Sequence, residues 1–335
     1  MIAFHCIGEA KQLPSEWDEL AENYFQQTDF LLHTEKYNLC HQRYYLGMEG
    51  NRLVSAAIVY SLRLDLLTYL KIKSPLTIHI VGIPCSVSSQ GIFGEAFAID
   101  ALKNHIYGAE KGFFLILNLK DEPIIGSGAT GKTLPSVVLS NHFADWQDYN
   151  SSLRTGYRRR LRLINQPEKC ISFEKKPCSE FTEAMYLQYL EVFKRSSGKL
   201  EMLTFDFFRN LPSDFILTVC NKNDDVIGWN IALSDQNTYY FFMGGIDYKE
   251  NRIYKTYLRL LSSIVRDGIE KRSDFIEMGQ TAEIPKMRMG GNPIPLYMEA
   301  HHSNFFFNKL IKLTGKLLEY KRKLENTHSF KQDKA

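Results

Sequence analysis

Two short stretches carry residue types suited to handling a charged or activated ligand: Gly244-Gly245-Ile246-Asp247 and Glu277-Met278-Gly279-Gln280-Thr281. Adjacent glycines let a ligand approach the main chain closely, and a loop that leads into a helix offers free N–H groups that favour phosphate. Glu277 is a carboxylate in the otherwise apolar run Phe275-Ile276-Glu277-Met278, so it either points into a polar cleft or ends the buried part of a strand. The competing reading of the glycine pair is a plain turn.

A third stretch, Ser151 to Gln166, holds Arg154, Arg158, Arg159, Arg160 and Arg162 with Tyr157, Leu161 and Ile164 between them. At helical spacing one face is apolar and the rest basic. Arginine forks match phosphate oxygens, so a phosphate grip stands against a merely solvated face. A fourth stretch, Gly126 to Thr133, satisfies the GxxxxGK[ST] pattern of a nucleotide-binding P-loop. Its context disagrees: Lys120 to Ile125 separates it from the preceding strand, and Leu134-Pro135-Ser136-Val137-Val138 is a poor start for the helix such a loop needs. His301-His302 lacks a third ligand nearby and reads as structural. The six cysteines lie far apart with no CxxC pair, which argues against a zinc site or a disulfide framework.

The elements that would position these residues form a β-α-β unit. Tyr239 to Met243 is a short apolar, aromatic run, the pattern of a strand buried on both faces. A polar loop, Ile246 to Asn251, follows. Tyr254, Tyr257, Leu258, Leu261, Ile264, Val265 and Gly268 then recur at spacings of three and four, with Asn251 as N-cap and Lys271-Arg272 near the end. Phe275 to Met278 is the second strand, parallel to the first through a right-handed crossover. Such a unit places its ligand at the carboxyl ends of its strands.

An earlier part of the chain repeats this plan weakly. Leu46–Met48 and Arg52–Leu62 read as a hairpin, Ile78–Ile83 as a strand, Gly94–Ala109 as a helix and Phe113–Leu119 as a strand. NRLVSAAIVYS is echoed by DDVIGWNIALS, Asp224 to Ser234, ahead of Tyr239. Asn304 to Leu324 reads as a closing helix rich in Phe, Leu and Lys that packs on the body or touches an anionic membrane surface, packing being preferred.

The chain has 335 residues, 44% of them hydrophobic and 13% aromatic, enough for a large core and two domains. A formal charge of +3 gives no case for a dedicated DNA binder. No stretch approaches the roughly 20 apolar residues that span a bilayer, and the first residues lack the pattern of a signal peptide. A cytoplasmic location is expected.

The order strand, GGID loop, helix, strand ending in EMGQT, then AEIPKMRMGG, resembles the acyl-donor half of the GNAT superfamily, and in particular its FemABX-like branch. In that branch the second strand is followed by a short helix bearing Lys or Arg and then glycine, here Lys286, Arg288 and Gly290-Gly291. SSLRTGYRRRLRLINQ looks like the same branch's arginine-rich helix between its two halves. The usual GNAT pyrophosphate signature is absent after Met243, and the branch includes members that use aminoacyl-tRNA in place of acyl-coenzyme A. Both donors stay open.

The resemblance implies an α/β protein of tandem GNAT-like domains, each a central mixed sheet flanked by helices. The first half would be 1–149, the second, with the active cleft, 150–325, and 326–335 a polar tail. It implies a bacterial N-acyltransferase or aminoacyltransferase with no permanently bound cofactor and no metal, and acyl-CoA as donor co-substrate. In the family's mechanism an amine attacks the donor carbonyl, main-chain N–H at a splayed strand end polarises it, and a carboxylate takes the proton. On that mapping Glu277 is the leading base, with Asp247 and Tyr254 next. Gly244, Gly245, Gln280, Thr281, Lys286 and Arg288 line the donor, and Tyr157, Arg158 and Arg159 hold a phosphate-bearing substrate. The acceptor would be a small-molecule or cell-envelope-precursor amine, met in the cytoplasm or at the inner membrane face through the basic C-terminal helix. The alternatives are a P-loop NTPase using residues 126–133 and a non-catalytic binding protein on the same scaffold.

Overall fold

Each of the two sheets takes a strand from the far half of the sequence. The computed structural model describes all residues except 39, 65–75, 86, 124–127, 197–199, 316–318, 325–326 and 332–335. In chain order the first strands are β1 (Ile2–Ile7), β2 (Arg43–Glu49), β3 (Arg52–Leu64), β4 (Leu76–Val81), β5 (Ile92–Gly94), β6 (Phe113–Leu119) and β7 (Ala129–Lys132). Helices α1 (Glu16–Leu20), α2 (Thr28–Tyr37) and α3 (Ala96–Ala109) run among them. Next come β8 (Ser136–Ser140), α4 (Trp146–Ser152), α5 (Thr155–Ile164), β9 (Ile171–Pro177), α6 (Glu183–Arg195) and α7 (Phe205–Arg209). The chain continues through β10 (Phe215–Lys222), β11 (Asp225–Asp235), β12 (Thr238–Ile246), α8 (Tyr248–Tyr254), α9 (Thr256–Glu270) and β13 (Phe275–Glu277). It finishes with α10 (Glu283–Arg288), β14 (Asn292–Ile294), β15 (Tyr297–His302) and α11 (Phe305–Thr314).

Two compact units result: Met1–Leu134 with Pro295–Arg322, and Pro135–Ile294 with Lys323–Ala335. The division at Leu134 replaces the expected one near Tyr149, because β8 pairs with β13 and β14. Conversely β15 lies between β6 and β7.

The first unit's sheet runs β1-β2-β3-β4-β6-β15-β7, with β5 on β3. Its β4 and β6 are parallel and joined through α3, whose Leu102 and Ile106 pack in a core with Phe114 and Ile116. Glu299 on β15 is fully buried and meets Lys103 of α3 at 3.1 Å, so a charge from the late strand is neutralised by the early helix.

The second unit's sheet runs β14-β8-β13-β12-β11-β10-β9, and here β12 and β13 are the parallel pair. The mixed α/β class and the repeated plan are as the sequence implied. The crossover is two helices instead of one, broken at Lys255, whose φ of 54° is left-handed. The N-cap positions fall at Asp247 and Lys255, not at the expected Asn251, which lies within the first helix, though its side-chain oxygen accepts from Tyr257 N at 2.9 Å. Leu261, Ile264, Val265 and Ile269 of α9 then pack in one core with Tyr239, Ile276, Val137 and Leu139. Gly268 permits this approach: a Cβ there would stand 2.6 Å from Ile276 Cγ1.

Two expectations about the end of the chain are corrected. The closing helix stops at Thr314, short of Leu324. The expected polar tail contains Phe330, whose ring meets Phe143 at a tilt and Tyr149 edge-on in the second core, and whose main chain bridges to Leu153. In the GxxxxGK[ST] stretch Gly126 and Ser127 lie outside the described residues. Ala129–Lys132 is strand β7 and β8 begins at Ser136, so no helix follows Lys132 and the NTPase reading loses its phosphate-facing N-terminus. Among the described residues no helix is long and apolar enough to cross a membrane.

Candidate functional site

β12 and β13 pair for three residues only, Thr238 with Phe275, Tyr239 with Ile276 and Tyr240 with Glu277. Past that point β13 stays with β8: Met278 N donates to Val137 O at 2.8 Å and Val137 N to Gly279 O at 3.2 Å. β12 instead follows β11 to Ile246, and the two main chains part at the Tyr240–Glu277 pair. A bulge marks the place. Ile231 faces Met243 and Ala232 faces Phe241, so Phe242 has no residue opposite and the side chains beyond it change faces.

Glu277 lies at this fork, half-buried, and its Oε1 accepts a hydrogen bond from Ser136 Oγ at 2.9 Å. Burial and the Glu277 charge together push the Tyr240 hydroxyl's pKa up. On the other wall Lys286 of α10 is only 3% exposed. Its amine donates to Gly279 O at 3.0 Å and Gln280 O at 2.6 Å and lies 5.8 Å from the centre of the Phe241 ring. Burial pulls its pKa down to about 7, against the opposing pull of the Glu283 and Glu277 carboxylates. The Tyr257 hydroxyl is buried and has no hydrogen-bond partner among the described residues, and burial followed by the Glu283 charge raises its pKa.

The loop between β13 and α10 is strained. Gly279, Thr281 and Ala282 have φ of 71°, 60° and 47°. For the two non-glycines this costs about 1–3 kcal/mol each, and such strain persists where surrounding bonds hold it. Here the two Lys286 hydrogen bonds grip the loop at Gly279 and Gln280.

The structure separates several residues that the sequence reading joined. Gly244 and Gly245 lie inside β12, paired with Asn230 and Trp229, and the loop starts only at Asp247. A Cβ on Gly245 would stand 2.5 Å from Trp229 Nε1, so this glycine makes room for a fully buried indole that donates to Met185 O at 3.0 Å. Asp247 caps α8, accepting from Lys249 N at 2.7 Å and Glu250 N at 3.2 Å. It lies seven residues along β12 from Tyr240, the partner of Glu277, or roughly 20 Å at the rise of a strand. Tyr254 packs beside Cys220, Ile227, Ile246 and Leu260, with the Lys222 amine 5.4 Å over its ring. Neither meets Glu277. Thr281 and Arg288 are exposed, while Gln280 and Lys286 line the loop next to it.

The arginine-rich helix divides its residues among distinct hollows. Arg158 and Arg162 of α5 and Arg266 of α9 line a pocket of about 620 Å³ with Trp146, Asn165 and Gln166, and the Arg266 guanidinium lies 4.7 Å over the Trp146 ring. Tyr157 and Arg288 meet in a smaller apolar pocket of about 110 Å³, with Arg160, Leu258 and Pro285. Arg159 is exposed and lines neither. Arg266, Ser136, Tyr257 and Glu283 escaped the sequence reading: they lie in other elements, and no spacing ties them to Glu277 or to the arginine run. His301 stacks on Tyr107 at 4.0 Å and His302 Nδ1 accepts from Asn304 N at 2.9 Å, the structural roles expected.

No protein-family model matches the chain and no curated protein is similar to it at a significant level. Among solved structures, a tandem GNAT protein from the clavulanic acid biosynthesis pathway superposes over 91% of this chain and 99% of its own, with a TM-score of 0.52 and 9% identity. FemX covers 82% of this chain and 90% of its own at 0.49 and 9% identity. L-PGS from Bacillus licheniformis covers 93% and 98% at 0.48 and 10% identity. At such identities the likeness is one of fold, and the first of these establishes it: the two units are GNAT-like domains in tandem.

Proposed function

We propose that this tandem GNAT-like chain is an N-acyltransferase or aminoacyltransferase, moving an acyl group from acyl-coenzyme A or aminoacyl-tRNA to an amine. The observation that supports it most is the fork, where β12 and β13 part beside a half-buried carboxylate. Parting strands leave main-chain N–H groups unclaimed by a neighbouring strand, and these can polarise a carbonyl placed between them. The acceptor nitrogen attacks that carbonyl carbon and Glu277 takes the proton that the nitrogen sheds; the carbon–sulfur or carbon–oxygen bond of the donor then breaks, and that proton passes on to the departing thiolate or ribose alkoxide. Ser136 holds the carboxylate in place.

Lys286 positions the opposite wall. A neutral amine has two N–H groups, and two carbonyls receive them, so above about pH 7 the side chain can hold the loop without a buried positive charge. Arg158, Arg162 and Arg266 would take phosphates of the donor or acceptor, in a pocket whose size suits a ligand.

Incubating the protein with acyl-coenzyme A species or charged tRNA and a panel of amines tests the transferase reading, with thermal shift as the binding measure. Glu277→Gln keeps an acceptor for Ser136 but is no base, so kcat should fall about 10²- to 10⁴-fold while the melting temperature holds. Wild-type kcat in that variant would return Glu277 to a structural role. Ligand binding without turnover by the wild-type chain would favour a binding protein on this scaffold.

A further inference from the structure

Helix α11 presents an apolar face to solvent. Asn304 caps it, its side chain accepting from Phe306 N at 3.0 Å and Phe307 N at 3.3 Å, so the helix has a fixed start. It turns half-buried Asn308 and Ile311 towards its unit, and Gly315 just after it is buried against Ala129. The opposite side carries Phe305, Phe306 and Leu313, which are 75%, 79% and 75% exposed, and Leu310 at 54%. At 100° per residue these four fall on one continuous arc, with Lys309 within it and Lys312 on its flank. The helix contains no Asp or Glu.

We propose that α11 docks the protein on an anionic lipid bilayer, lying in the interface with Phe305, Phe306, Leu310 and Leu313 at the acyl boundary and its lysines at the headgroup phosphates. Contiguous exposed aromatic and aliphatic side chains mark an interaction surface, and basic residues in the same arc match a negatively charged partner. Self-association fits less well. A two-fold contact would bring the lysines of both copies together, and one face of a ten-residue helix offers far less than the roughly 800 Å² per partner of a stable interface. The packing that the sequence favours for this segment holds for one side of α11, which lies on β15 and β7, and the other side is left exposed.

Co-sedimentation of the full chain with vesicles tests the proposal. Binding is expected to vesicles that mix phosphatidylglycerol with phosphatidylcholine, weaker to phosphatidylcholine alone, and reduced by salt. The exposed pair Phe306→Ser with Leu313→Ser should keep the melting temperature and lose about tenfold or more in partitioning. Lys309→Glu with Lys312→Glu should remove the preference for anionic vesicles. A Phe306→Trp probe should shift its emission to the blue on binding. Absence of vesicle binding, equal binding by the Ser variant, or a dimer in sedimentation velocity that this variant abolishes would each overturn the proposal.

Discussion

Lys286 is a cation by type held where a cation is unwelcome, and that fixes the sign of its effect on stability. Its pKa drops from 10.5 to about 7 on folding, so between those values the unfolded chain carries a proton that the folded chain lacks. Stability contributed through this residue therefore rises as pH climbs from about 7 to 10.5, and the full cost of the buried charge is felt below 7. Lys286→Met, which removes the charge and keeps the length, should raise the melting temperature more at pH 6 than at pH 9. An equal change at both values would mean the amine is hydrated in solution. In the same variant kcat/KM should fall about tenfold or more, because the strained Gly279–Ala282 loop loses both of its grips. Glu277 was legible as a lone carboxylate in an apolar strand. The depressed Lys286 pKa was not, since it depends on burial that the surrounding tertiary contacts impose.

At the scale of elements, β12 shows what periodicity can and cannot tell. Its aromatic run and the crossover that follows were plain from spacing, but the extension through Gly244 and Gly245, the bulge at Phe242 and the early parting from β13 are properties of pairing. If Gly245 served only to admit a ligand, valine there would block binding and leave the domain intact. With Trp229 against that position, Gly245→Val should instead destabilise the unit by about 1–3 kcal/mol, measurable by urea denaturation. An unchanged midpoint would mean the indole can move aside. Helix α5 behaves oppositely, because Arg158 and Arg162 are exposed. Reversing both to Glu should leave the melting point within a degree or two of wild type and raise KM for a phosphate-bearing substrate about tenfold or more. Unaltered kinetics would reduce the arginines to a solvated face.

On the scale of the whole molecule, the repeated α/β plan was legible and the boundary was not. β8 and β15 are short segments whose sequences do not say which sheet they join; that is decided by Val137 and Leu139 packing in the second core and by Glu299 meeting Lys103 in the first unit. A fragment ending at Tyr149 therefore lacks β15 and leaves β6 and β7 without their shared neighbour. It should show no cooperative thermal transition, whereas residues 1–134 joined by a flexible linker to 295–322 should unfold in one step by circular dichroism. A sharp transition in the shorter fragment would show that β15 is dispensable.

The late arrival of β15 also sets a timetable for synthesis. While a ribosome works through the second unit, the first has every strand but the one between β6 and β7, and the edge of β6 stands open. At about 5–20 residues per second that interval lasts of the order of ten seconds or more, during which a row of unpaired backbone groups can find the wrong partner. Of the two units, the N-terminal one is thus begun first and yet still lacks a strand when most of the second has been made. Chains stalled on the ribosome before Tyr297 should be cut by protease within the first unit, and chains stalled well after His302 should resist; equal resistance in both would show that the sheet closes without its final strand.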